Sequence, residues 1–256
     1  MNGAFYIGAT GLDAQQRALD VIANNIANIN TPAFHRSTVR FSELMAVPRD
    51  GSDLPLAAAD GSEGMSGVAL TGTSHIWTGG DLRQTGAEMD VAIDGAGFLE
   101  LIGPAGQILL SRGGTLKVND DGYLAAADGS ALKAQISVPR EASQLAIHTD
   151  GSVWAAATDG SVQQIGQIEL ALPANPDALI DRGGGLYEIS DDADIVAAKP
   201  GLDGAGTLAQ GKIEQANVNL SDEMVTLMLV QRAYAANAQV VQAGDQIMSI
   251  VNGLRR

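Results

Sequence analysis

Gly95 and Gly97 stand two apart after an apolar run, the spacing of a phosphate-wrapping loop, and Asn119-Asp120-Asp121-Gly122 offers the carboxylates of a calcium loop. Neither completes its site. A phosphate loop opens a helix, whose free N–H groups point at the anion, whereas Phe98 begins another strand-like run. The acidic tetrapeptide lacks the twelve-residue ligand spacing of a calcium loop. Both read as turns instead. The histidines His35, His75 and His148 are scattered without metal-ligand spacing, cysteine is absent, and no Gly-x-Ser-x-Gly, Walker or zinc motif occurs. The expectation is a chain with no catalytic residue, no metal and no cofactor.

The remaining polar cluster is Asn24, Asn25 and Asn28. Three Asn in five residues are poor helix formers. Asn24 and Asn28 lie four apart and off the apolar seam of their helix, and Asn25 flanks it, so the amides either hydrogen-bond a neighbouring subunit or serve to close the helix end.

The helix that must carry them spans about residues 5–29. Phe5, Leu12, Leu19, Ile22, Ile26 and Ile29 fall on a seven-residue lattice interrupted by Gly8 and Gln15. It should stop near Asn30, because Thr31 precedes Pro32 and is driven out of the helical region. A second lattice runs through Leu227, Val230, Tyr234, Val241, Met248 and Val251, broken by Asn237 and Gly244. A polar residue in such a seam can fix register and a glycine can permit close approach, or both can mark a loose, exposed helix. Asn219 or Ser221 can cap its start, Asp222 and Glu223 suit the positive end of its dipole, and Gly253 suits its finish. The apolar gain of one such helix does not cover the cost of ordering it. Each therefore needs the other helix or a neighbouring subunit, and periodicity does not choose between a hairpin and intersubunit packing.

Between the helices the pattern changes to short apolar runs separated by Asp-Gly pairs at 94–95, 121–122, 128–129, 150–151 and 159–160. Candidate strands are 90–93, 98–102, 115–118, 144–148, 152–156 and 166–172. Residues 47–67 hold two Pro, three Asp and four Gly with little periodicity and read as a linker or extended arm. The expected fold is α+β. Terminal helices at 1–33 and 218–256 form a coiled-coil-like polymerisation domain, 34–75 an extended linker or arm, and 76–217 a β-rich outer domain.

A formal charge of −15 without any basic stripe argues against nucleic-acid binding, which relies on clustered Lys and Arg. There is no run of 18 apolar residues to insert into a membrane, and Met1-Asn2-Gly3-Ala4 lacks the basic flank and apolar core of a cleaved signal. The expectation is a soluble chain without a cleaved leader.

Several strings carry a resemblance. Gly11-Leu12-Asp13-Ala14-Gln15-Gln16, Asp20-Val21-Ile22-Ala23-Asn24-Asn25-Ile26-Ala27-Asn28 and Thr31-Pro32-Ala33-Phe34 resemble the amino-terminal signature of flagellar rod and hook axial proteins. Asp90-Val91-Ala92-Ile93-Asp94-Gly95-Ala96-Gly97-Phe98 and Ser111-Arg112-Gly113-Gly114 are similar to the family's middle segment. Asn217-Val218-Asn219-Leu220-Ser221-Asp222-Glu223-Met224 with Gln231-Arg232-Ala233-Tyr234 is similar to its carboxy-terminal signature. In length and in this last segment the chain is more like distal than proximal rod members. The resemblance is weakest over 47–67 and 173–200.

The resemblance implies a structural, non-enzymatic subunit of the basal-body rod, a tubular drive shaft across the periplasm, exported by the flagellar type III apparatus. Its partners would be further copies of itself, other rod proteins, the hook protein and the surrounding periplasmic and outer-membrane rings. The polymerisation interface would comprise Leu12, Leu19, Ile22, Asn24, Asn25, Ile26, Asn28, Ile29, Leu227, Val230, Tyr234, Asn237, Val241, Met248 and Val251. Leu54, Leu56, Met65 and Val68 would dock an axial arm on a neighbour. Two alternatives stay open: a proximal rod subunit of the same architecture, and a secreted β-domain enzyme or binding module whose helices merely fold back.

Overall fold

The computed structural model describes residues 2–45, 65–158, 160–189 and 194–254. The chain divides into two units. One comprises Met1–Ala27, Ser37–Ser74 and Asn219–Arg256, the other Asn28–Arg36 and His75–Val218.

The first unit pairs two helices, α1 (Asn2–Ala27) and α2 (Leu220–Leu254), and adds a two-stranded sheet of β1 (Ser37–Met45) and β2 (Met65–His75). Helix α1 ends a turn before the expected Asn30. At the other end Asn219 caps α2, its side-chain oxygen accepting from the Ser221 N–H at 3.0 Å. Helix α2 runs through Gly253 rather than stopping at it. Strands β1 and β2 lie within the segment expected as linker and arm. The Thr71 hydroxyl donating to the Arg40 carbonyl at 3.0 Å is one of the contacts joining them.

The second unit is mainly β. Strand β3 (Leu82–Gln84) pairs residues 212–214, while β4 (Asp90–Asp94) lies between residues 207–210 and β7 (Gly113–Thr115). At its centre β5 (Phe98–Ile102) pairs β6 (Ile108–Ser111) on one side. Its other side is shared by residues 131–132 and 170–171. The core collects Val91, Ile93, Leu99, Leu101, Leu124, Leu132, Leu170 and Leu208, the inward positions of these short strands.

The expected strand 166–172 is two strands. Val162–Gln167 pairs Ser152–Ala157, and after Ile168 the chain turns so that Leu170–Pro173 pairs Ile195–Ala198. The expected strand 115–118 is likewise broken at the buried Leu116. Neither run holds a Pro or an Asp-Gly pair to mark its break. The Asp-Gly turns at Gly122 (φ 82°) and Gly151 (φ 86°) adopt the left-handed backbone that favours glycine.

Candidate functional site

The face that α1 turns to α2 is built from small residues. Gly8, Ala14, Ala18, Ile22 and Asn25 are buried, while Leu12, Leu19, Ile26 and Ile29 are half-buried. A Cβ on Gly8 would stand 2.7 Å from Val241 Cγ2, and one on Gly11 would stand 2.7 Å from Asn237 Nδ2. The two helices are thus antiparallel and nearly in backbone contact there. Close approach places small side chains in the middle and displaces the larger Leu and Ile to the flanks, which shifts the buried stripe off the expected lattice.

On α2 the expected positions Leu227, Val230, Asn237, Val241, Gly244 and Met248 share the half-buried face, and Tyr234 is 38% exposed. The side chains of Phe5, Met65 and Val251, and all of Leu54 and Leu56, lie outside the described residues. Val68 is an exposed position of β2.

Of the three asparagines, Asn24 is exposed and Asn28 half-buried, its side-chain oxygen accepting from the Thr31 hydroxyl at 3.1 Å. Asn25 is 1% exposed and is engaged within the chain. Its Nδ2 donates to the Ser37 carbonyl at 2.8 Å, its Oδ1 accepts from the Ser37 N–H at 2.9 Å, and Glu223 Oε2 lies 3.4 Å from Nδ2. Helix α1 is thereby fastened to the start of β1 and to the first turn of α2. Glu223, expected only as a dipole partner, is fully buried. Sequence reasoning missed that role, because capping carboxylates are ordinarily solvated.

The opposite face of α2 carries Met224, Val225, Met228, Leu229, Val240, Ile247 and Ile250, all more than half exposed. From Met224 to Gly244 the only charged residue is Arg232. Such a helix, apolar on both faces, is ordinarily buried all round. No helix among the described residues is long and apolar enough to cross a membrane.

In the second unit the segments that lead toward the helices are tied together. Arg112 Nε donates to Glu214 Oε2 at 3.1 Å and Arg112 Nη1 to the Gly97 carbonyl at 2.6 Å, both side chains being almost fully buried. Glu214 also accepts from the Gly80 N–H at 2.9 Å, and its own carbonyl accepts from the Ala33 N–H at 2.9 Å. Asn217 Nδ2 donates to the Ile76 and Thr78 carbonyls at 2.7 and 2.8 Å, and its Oδ1 accepts from the Arg36 N–H at 2.6 Å. Two residues thus hold three chain segments, 33–36, 76–80 and 214–217.

His35 sits inside this tie, 1% exposed, with Nδ1 3.2 Å from the Ile76 carbonyl. Asn217 Nδ2 lies 3.4 Å from the same Nδ1, and the buried Nε2, 3.9 Å from Glu214 Oε1, has no hydrogen-bond partner among the described residues. Burial pushes its pKa down, opposed by the Glu214 carboxylate and helped by Arg112 and His75. Trp77, Phe98, Tyr187 and His75 pack beside it in edge-on and tilted ring pairs, and burial pushes the Tyr187 phenol up. This ring cluster was not anticipated from the sequence, since its members are far apart in the chain.

Residues 5–34 match the family described as "Flagella basal body rod protein", 92–155 the "Flagellar hook protein FlgE/F/G D1 domain", and 209–254 the "Flagellar basal body rod FlgEFG protein C-terminal". The chain is 34% identical to "Flagellar basal-body rod protein FlgG" of Buchnera aphidicola subsp. Acyrthosiphon pisum, across 98% of this chain and 99% of that one. The chain belongs to the flagellar basal-body rod protein family.

It is also 34% identical to FlgG of Agrobacterium fabrum, across 97% and 98% of the two chains. Against Caulobacter vibrioides it is 32% identical to FlgG, across 98% and 99%, and 29% identical to FlgF, across 94% and 93%. This rod-family chain is a structural basal-body subunit rather than an enzyme. The segments matched at its two ends hold most of α1, the turn after it and α2, so the buried Asn25 and Glu223 and the half-buried Phe34 all fall in matched segments.

Proposed function

We propose that the chain is the distal rod subunit and polymerises into the tubular shaft that transmits motor torque to hook and filament. The terminal helices act as a coiled-coil-like polymerisation domain, and residues 76–217 form an outer β domain. The observation that carries this reading is the outer face of α2, where Met224, Met228, Leu229 and Ile250 are 52%, 52%, 60% and 62% exposed. Leaving so much contiguous apolar surface in water is unfavourable, and a polymer removes it. Other rod proteins, the hook protein and the surrounding rings contact the finished shaft in the periplasm, and the subunit reaches them through the type III export apparatus. Residues 47–67 supply an axial arm, with Leu54, Leu56, Met65 and Val68 as its apolar points, supported by their composition.

The test is assembly of the purified chain. Concentration-dependent tubes seen by electron microscopy and sedimentation are expected, and Leu19→Asp or Val241→Asp should abolish them while the β unit stays folded. A chain that stays monomeric at every concentration overturns the reading.

A further inference from the structure

An open groove of about 500 Å³ runs along α1 beside β2, lined by Tyr6, Ala9, Thr10, Asp13 and Arg17 with Val68–Leu70 as its other wall. The α1 members recur at three- and four-residue spacing, so they form one helical row. Gly67 allows the strand to close on that row, since a Cβ there would come within 2.4 Å of Thr10 Oγ1. Its lining mixes the apolar Ala9, Ala14 and Val68–Leu70 with Tyr6 and Thr10 and carries a single acid–base pair, Asp13 and Arg17, 3.1 Å apart and both largely exposed.

The outer ridge of α2 has the matching character. Met224, Met228 and Arg232 follow at four-residue spacing, with Val225 and Leu229 beside them. It is apolar with one cation, Arg232, and no acid on the same stretch. Within the chain the ridge does not reach the groove. Gly8 stands against Val241, which places Met228 roughly 20 Å farther along the antiparallel helix at 1.5 Å per residue.

We propose that the α1–β2 groove receives the α2 ridge of a second copy of this chain, with Met228 and Leu229 inserted and Arg232 set against Asp13. Ridge and groove are different patches of one molecule, so the contact is head-to-tail. Such contacts propagate into open helical assemblies rather than closing as dimers. The inference rests on the polymerisation reading above and names the surfaces that perform it.

Because the chain contains no cysteine, engineered disulfides report the contact directly. The full chain carrying Ala9→Cys and Met228→Cys, assembled and then oxidised, should run as a ladder of dimers, trimers and higher multimers on a non-reducing gel. Ala9→Cys with Ser249→Cys, displaced along α2 by about 30 Å, should not. Tubes that form without the ladder overturn the groove while leaving polymerisation standing, whereas no assembly at all overturns both. Should the cysteine pair disturb folding, charge exchange decides. Asp13→Arg alone should raise the concentration needed for assembly about fivefold, and Asp13→Arg with Arg232→Asp should restore it. A double variant no better than the single one overturns the proposal.

Discussion

Gly8 of α1 and Val241 of α2 touch so closely that even a methyl group on the glycine would stand 2.7 Å from Val241 Cγ2. Glycine inside a helix ordinarily costs about 1 kcal/mol relative to alanine, so an alanine here should stabilise if the space were open. Val241 is β-branched and holds one rotamer in a helix, so it cannot swing aside. Gly8→Ala should therefore lose about 1–3 kcal/mol by overpacking. Val241→Ala in the same chain should recover much of it. Gly11→Ala should cost less, since Asn237 can rotate its amide away. Urea titrations of the three variants check that order.

Asn25→Ala should destabilise the helical unit by about 1–3 kcal/mol, because it removes a fully buried amide and its two hydrogen bonds to the half-buried Ser37 backbone. Asn25→Asp should be worse than the alanine variant. It keeps the shape but removes the donor and sets a second carboxylate toward Glu223. A denaturant midpoint for Asn25→Asp above that of Asn25→Ala would show that Glu223 does not feel this position.

How legible this was depends on the kind of interaction. The two helices, the start of α2 and most strands follow from local signals such as Asn219 before an acidic first turn and glycine in the Asp-Gly turns, whereas α1 ends at Ala27, earlier than Pro32 indicates, and α2 runs through Gly253. The buried stripe of α1 was less legible, since a lattice of large residues points to Leu12 and Leu19, while backbone contact at Gly8 and Gly11 decides which face closes. The interactions of Glu223, Glu214 and Arg112 were not legible at all. A charged residue in sequence reads as surface, and only tertiary pairing across separations such as that from Arg112 to Glu214 makes it interior. Strands β1 and β2 were hidden for a similar reason: they flank a stretch rich in Pro, Gly and Asp that masks their periodicity.

Arg112→Leu should unfold the β unit more readily than its lost contacts suggest, by about 3–5 kcal/mol, because it leaves the Glu214 carboxylate buried without its cation. Removing both charges, as Arg112→Leu with Glu214→Leu, should be milder than Arg112→Leu alone. Thermal unfolding followed by near-ultraviolet signal from the Trp77 cluster checks this. Equal losses in the single and double variants would mean that the pair contributes through packing rather than charge.

Acid should loosen the β unit through His35. Burial favours its neutral form, and the groups facing it divide: Glu214 pulls its pKa up, Arg112 and His75 push it down, and the bond to the Ile76 carbonyl opposes burial. The net effect is a folded value below the ordinary 6.5. For a group whose folded pKa is depressed, the unfolded chain binds the proton more readily. The stability that His35 contributes is thus complete above pH 6.5 and drains away as pH falls from there through the folded value. The denaturant midpoint of the β unit should drop between neutral and mildly acidic pH, and His35→Gln, which keeps a polar group but cannot titrate, should flatten that drop while lowering the midpoint at neutral pH. If the wild-type chain and His35→Gln lose stability in parallel on acidification, the proton goes elsewhere and His35 is not the group that senses it.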